Sequence, residues 1–126
     1  MRKLRKIDGA CAPLALKYLS RLSDAKVLQI CEQHGFKHDW GMEEFEFLKA
    51  ARELGIRLRR MNMKKSGLYQ AKLRKFIKIK PEGVFLLYTD RHLFVVDNGG
   101  IFDPLNGKSL GLDRVVTSAW YAGDAV

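Results

Sequence analysis

The stretch His92-Leu-Phe-Val-Val-Asp-Asn-Gly-Gly-Ile-Phe-Asp103 decides the fold class of this 126-residue chain. Asn98-Gly99 sits between two runs of β-branched and aromatic residues. This is the strongest short-range hairpin signal, because both residues tolerate the positive φ of a tight two-residue turn. With Asn98 and Gly99 as the loop, Asp97 is expected to pair with Gly100, Val96 with Ile101 and Phe94 with Asp103. The two-residue period of a strand then sets His92 on the face of Phe94, and so on the face of Asp103. A loop shifted to Gly99-Gly100 keeps that facing, whereas a three-residue loop reverses it. Upstream, Val84-Phe-Leu-Leu-Tyr88 reads as another strand beginning after Gly83.

Towards the N-terminus the period becomes helical. Pro13 suits the first turn of a helix beginning at or just after Cys11, and Leu14, Ala15, Tyr18, Leu19 and Leu22 recur on one side of it. Leu16 adds apolar surface elsewhere, so this helix is expected to be central. Ser23 or Asp24 can cap a second helix that stops at Gly35. Gly41 to Gly55 holds the clearest amphipathic helix, with Phe45, Leu48 and Ala51 as its stripe and Phe47 and Leu54 beside it. Ile56–Met61 predicts a short edge strand, and Leu68–Ile77 a further short helix. Helices first and antiparallel strands afterwards is an α+β arrangement. It predicts one domain over 1–126, with a helical half at about 8–55 and a sheet half at about 56–120.

Composition narrows the partners. The hydrophobic share of 47% suits a globular core. No apolar run approaches the roughly 18 residues of a membrane span. The basic start, Met1 to Lys6, lacks the apolar segment of a signal peptide, so a cytoplasmic protein is expected. Two cysteines are too few for a disulfide framework. Lys and Arg number 23 against 14 Asp and Glu, a formal charge of +9 that favours nucleic acid or acidic protein surfaces. Arg57, Arg59, Arg60, Lys72, Arg74 and Lys75 are the candidate contacts. No phosphate-binding glycine loop is present, and no cofactor is expected. Cys31, His34, His38 and Asp39 are close in sequence, but Gly35 should end the helix between the histidines, which argues against a metal site.

Cys11 carries the chemistry. At the start of a buried helix its thiolate is favoured by the helix dipole, and Gly9 and Ala10 leave room beside it for a carbonyl. His92 opens an apolar strand, where packing gives a histidine no reason to be. A thiolate, an imidazole and a carboxylate fixing its tautomer are the parts of a cysteine hydrolase. On this reading Cys11 is the nucleophile, His92 the base and Asp103 the group that orients it. Asp97 is a rival for the last role, but its hairpin position points it away from His92.

Asp8-Gly-Ala-Cys-Ala-Pro-Leu-Ala-Leu16, Gly41 to Gly55, Gly83-Val-Phe-Leu-Leu-Tyr88, Arg91-His-Leu-Phe-Val-Val96 and Ile101-Phe-Asp-Pro104 together resemble the papain-like cysteine peptidase superfamily. Within it they are similar to bacteriocin-processing (double-glycine leader) peptidases and small phage-encoded relatives. The resemblance spans most of the chain. It implies a papain-like fold, and thiol-dependent cleavage of a peptide or isopeptide bond in a protein or peptide substrate by Cys11, His92 and Asp103. The chain departs from that pattern before the cysteine, where Arg5 stands in place of the usual oxyanion-donating glutamine. Arg5, Lys6 and the Cys11 backbone N–H are the substitute oxyanion donors, and losing the glutamine would cost on the order of a hundred- to thousandfold in rate. Asp8 is a candidate groove contact, and Trp120 is expected either in a satellite core or as a groove contact. The alternative reading is a catalytically inactive papain-like module that binds a protein or nucleic acid through its basic surface.

Overall fold

The structure is a computed structural model that describes residues 11–37, 41–89, 92–102 and 111–123. Three helices come first: α1 (Cys11–Ser20), α2 (Asp24–Gln33) and α3 (Glu44–Glu53). The strand β1 (Leu58–Arg60) and the helix α4 (Leu73–Ile79) follow. The remaining strands are β2 (Val84–Thr89), β3 (His92–Asp97), β4 (Gly100–Phe102) and β5 (Ser118–Ala122). The described strands form one antiparallel sheet in the order β1-β5-β2-β3-β4. This is an α+β fold. No helix among the described residues is long and apolar enough to cross a membrane.

Local sequence accounts for most element ends. Ser23 caps α2 by accepting a hydrogen bond from the Lys26 N–H at 3.2 Å, satisfying a donor that the first turn leaves orphaned. Beyond α2, Gly35 has φ +108°, a backbone conformation that side chains rarely adopt, so glycine suits the turn that ends this helix. The hairpin register is as expected from Asn98-Gly99: Asp97 pairs with Gly100 and Val96 with Ile101. Both turn residues have positive φ, 48° and 81°. The expected partnership of Phe94 with Asp103 lies outside the described residues.

The sheet is buried on both faces. One face carries Leu86, Leu93, Val95 and Trp120, which pack with α1, α2 and α3. The other carries Phe85, Leu87, Phe94, Val96 and Ala119, covered by α4 and by Leu68 and Ala71 before it. Two-sided burial explains why β2 and β3 read as nearly unbroken apolar runs instead of alternating. The first five positions after Cys11 in α1, Ala12 to Leu16, are all buried, so this helix is the central one.

One expectation is corrected, and one strand had no expectation. The buried stripe of α3 is Phe47, Ala50, Ala51 and Leu54, spaced i, i+3, i+4, i+7, whereas Phe45 is 62% exposed. Phe45 lies about 200° round the helix from Phe47, and the paired alanines mark the side on which α3 approaches its neighbours closely. The strand β5 carries no strong signal of its own, since its serine and two alanines have little β preference. Long-range pairing sets its place in the sheet, with Leu58 opposite Ala122 and Leu87 opposite Ala119.

Trp120, on β5, is 2% exposed, and its ring meets Phe47 edge-on at 5.4 Å and 88°. It joins the helical layer to the middle of the sheet. Trp120→Ala is therefore expected to cost about 3–5 kcal/mol, read as a lower urea midpoint with an unchanged slope. A loss below about 1 kcal/mol would mean that this contact does not hold the layers together.

Candidate functional site

The placement of the candidate residues follows from how α1 lies on the sheet. Tyr18, near the end of α1, donates its hydroxyl proton to Asp97 Oδ2 at 2.7 Å and stacks on Phe102 with centroids 4.5 Å apart. Asp97 ends β3, and α1 packs along that strand. Helix and strand thus run in the same direction, with their C-terminal ends pinned together. Ten helical residues span about 15 Å and six strand residues about 20 Å. The first residue of the helix, Cys11, is therefore carried towards the first residue of the strand, His92.

The two side chains belong to different layers. Cys11 is half-buried and packs against the helical cluster. His92 is 7% exposed, and its ring stacks on Phe94 at 5.7 Å and 16°. Phe94 belongs to the face covered by α4, and Leu93 and Val95 to the face covered by α1. Cys11 and His92 thus approach from different layers at the end of the sheet where Thr89 and His92 pair. Directly across the hairpin from His92 stands Thr89. Thr89 and His92 are the buried polar residues of the described chain. Thr89 Oγ1 donates to the Val115 carbonyl at 2.6 Å, which ties this end of the sheet to the segment leading into β5.

The two cysteines differ sharply. Cys31 is fully buried, and burial, with a smaller contribution from Glu32, pushes its thiol up to about 12. It is a core residue with almost no thiolate at neutral pH. Cys11 has the first-turn amides of α1 beside it, where a negative charge is favoured.

Other sequence candidates separate likewise. Asp97 lies at the far end of β3 from His92 and is engaged by Tyr18 and by Asn98 Nδ2 at 3.0 Å. Trp120, expected in the core or as a groove contact, lies in the core. Arg60 covers its ring at 5.6 Å and reaches Glu44 at 3.1 Å. His34 ends α2 and lies 3.4 Å from Glu53, whereas Cys31 faces the core. Arg5, Lys6, Asp8, His38, Asp39 and Asp103 lie outside the described residues. The basic candidates fall on two elements. Arg57, Arg59 and Arg60 belong to β1 and its approach, and Lys72, Arg74 and Lys75 to α4 and its cap; all are exposed.

Sequence reasoning did not single out Tyr18 or Thr89. Tyr18 follows Cys11 by seven residues, two helical turns, so it shares a side of α1 with the nucleophile candidate. That spacing was the available signal. Thr89 becomes visible only once β2 and β3 are joined as a hairpin.

The hydrogen bond to Asp97 raises the pKa of Tyr18 above its usual 10.0. Tyr18→Phe is expected to cost about 1 kcal/mol near neutral pH. The folded state holds the phenolic proton more tightly than the unfolded chain does. This contribution is therefore complete below pH 10 and lost as the pH rises through the higher folded value. Urea unfolding of both proteins across the alkaline range should show the gap narrowing above pH 10; a widening gap would contradict the assignment.

Set beside known proteins, the chain matches no family model, no curated protein and no solved structure.

Proposed function

We propose that the protein is a papain-like thiol hydrolase that cleaves a peptide or isopeptide bond, with its reaction centre at the end of the sheet where α1 and β3 begin. The observation that carries this reading is the parallel docking of α1 on β3, which directs Cys11 towards His92. The α+β architecture supports it, with a cysteine opening the central helix and a histidine opening a strand beneath that helix. The contrast with Cys31 adds to it, since one thiol sits at a helix start and the other is sealed in the core.

The reaction then runs as follows. The Cys11 thiolate attacks the carbonyl carbon, and the C–N bond breaks as the His92 imidazolium gives its proton to the leaving amine. Water, deprotonated by the same imidazole, next attacks the thioester and releases the carboxylate and Cys11. The Cys11 N–H, together with Arg5 or Lys6, would hold the oxyanion, and Asp103 would fix the tautomer of His92. An inactive module that only binds a partner would keep the same fold without this chemistry.

Iodoacetamide separates the two readings. At pH 6.5 an ordinary thiol, pKa about 8.5, is roughly 1% thiolate, whereas one lowered by two units is half ionised. Part of that gain is offset because a weaker base is a weaker nucleophile. Cys11 should therefore alkylate several-fold faster than a free cysteine at pH 6.5, and His92→Ala should remove the advantage. Cys31 should label only when the chain unfolds. Ordinary Cys11 labelling that His92→Ala leaves unchanged would end the hydrolase proposal.

A further inference from the structure

On the opposite side of the sheet from α1, a groove of about 650 Å³ runs beside α4. Leu73 and Phe76 anchor this helix in the second core and are fully buried. That orientation leaves Lys72, Lys75 and Lys78 exposed along the groove, with Arg74 beside them. No acidic side chain contributes to the described lining. Arg74 is answered by Asp113 at 3.5 Å, but Lys72, Lys75 and Lys78 enter no ion pair with any described residue.

At one end stands Tyr69, 59% exposed although it lies in a segment whose other apolar residues, Leu68 and Ala71, are buried. The following residue, Gln70, has φ +55°. This is the left-handed conformation that a side chain rarely adopts; it marks a sharp local turn beside the outward-facing ring. Lys64 Nζ lies 5.1 Å from the centre of that ring. The groove thus offers an exposed aromatic plane beside a row of lysines on a protein of net charge +9.

We infer that this groove binds single-stranded nucleic acid, with a base on Tyr69 and the phosphates along Lys72, Lys75 and Lys78. Stacking platforms set in a basic groove are how proteins hold unpaired strands without reading their sequence. A duplex satisfies the lysines but has no free base face for Tyr69. An acidic peptide also satisfies them, and the exposed Ile79 can seat an apolar side chain, but a peptide leaves the Tyr69 plane without the flat partner that a base supplies. The site is separate from Cys11 and His92 and does not depend on the hydrolase proposal.

The test is fluorescence anisotropy with labelled dT20 and U20, alongside a 20-base-pair duplex and polyglutamate as competitors. The single strands should bind at 50 mM salt and outcompete both. Three phosphate contacts predict a slope of about −2 for log K against log salt. Lys75→Glu with Lys78→Glu should weaken binding at least tenfold and flatten that slope. Tyr69→Ala should cost fivefold or more without changing the slope, and Tyr69→Phe should restore affinity, a separation that a general charge effect cannot produce. Arg59→Glu on β1 should change affinity less than twofold. Circular dichroism would confirm that each variant is folded. Absence of binding, equal or tighter binding of duplex or polyglutamate, or loss through Arg59→Glu in place of the α4 changes would each overturn the inference.

Discussion

The docking of α1 along β3 is the constraint on which the rest of this structure turns. A helix with five consecutive buried residues has to be enclosed on nearly every side. The sheet below and α2 and α3 around it provide that enclosure. Apolar packing alone fixes neither the direction of such a helix nor its position along the sheet, because burial is non-directional. The Tyr18 hydroxyl on the Asp97 carboxylate, with Phe102 stacked on the same ring, supplies the direction. With α1 packed along β3 and the C-terminal ends pinned, the start of the helix is directed towards the end of the sheet where His92 begins its strand.

Two-sided burial of the sheet divides the molecule into layers with different charge. The helical layer of α1, α2 and α3 faces one side. The far side is covered by α4 and the segment before it, and the exposed side chains of α4 are Arg74, Lys75, Lys78 and Ile79. Arginines and lysines are tolerated there because their stems lie on apolar surface while their heads stay in water. The lysine row of α4 thus lies on the far side of the sheet from α1. The thiol and the lysine row lie on opposite sides of the sheet, and the fold leaves them free to serve different partners.

Much of this was legible in the residues. Asn98-Gly99 fixed the hairpin register, because few residues accept two successive positive φ values. Ser23 and Pro13 announced helix starts through their backbone chemistry. The face parity of His92 and Phe94 followed from the strand period. What could not be read was which layer would cover which face, since alternation separates two sides without saying what packs on either. That is why His92 lies on the α4 side while Cys11 belongs to the α1 side. The buried face of α3 was misread because Phe45 draws attention by size, while the deciding signal was the small pair Ala50-Ala51. The strand β5 was hidden by the weak β preference of its serine and alanines, and the burial of Trp120 within it depends on partners more than 30 residues away in sequence, such as Phe47.

The central claim is that Cys11 and His92 act together round the end of the sheet. The most direct measurement is a crystal structure of the Cys11 adduct with a peptide-derived electrophile that mimics the acyl intermediate. The account predicts a ring nitrogen of His92 within about 4 Å of the Cys11 sulfur. A His92 ring out of reach of the sulfur would contradict it.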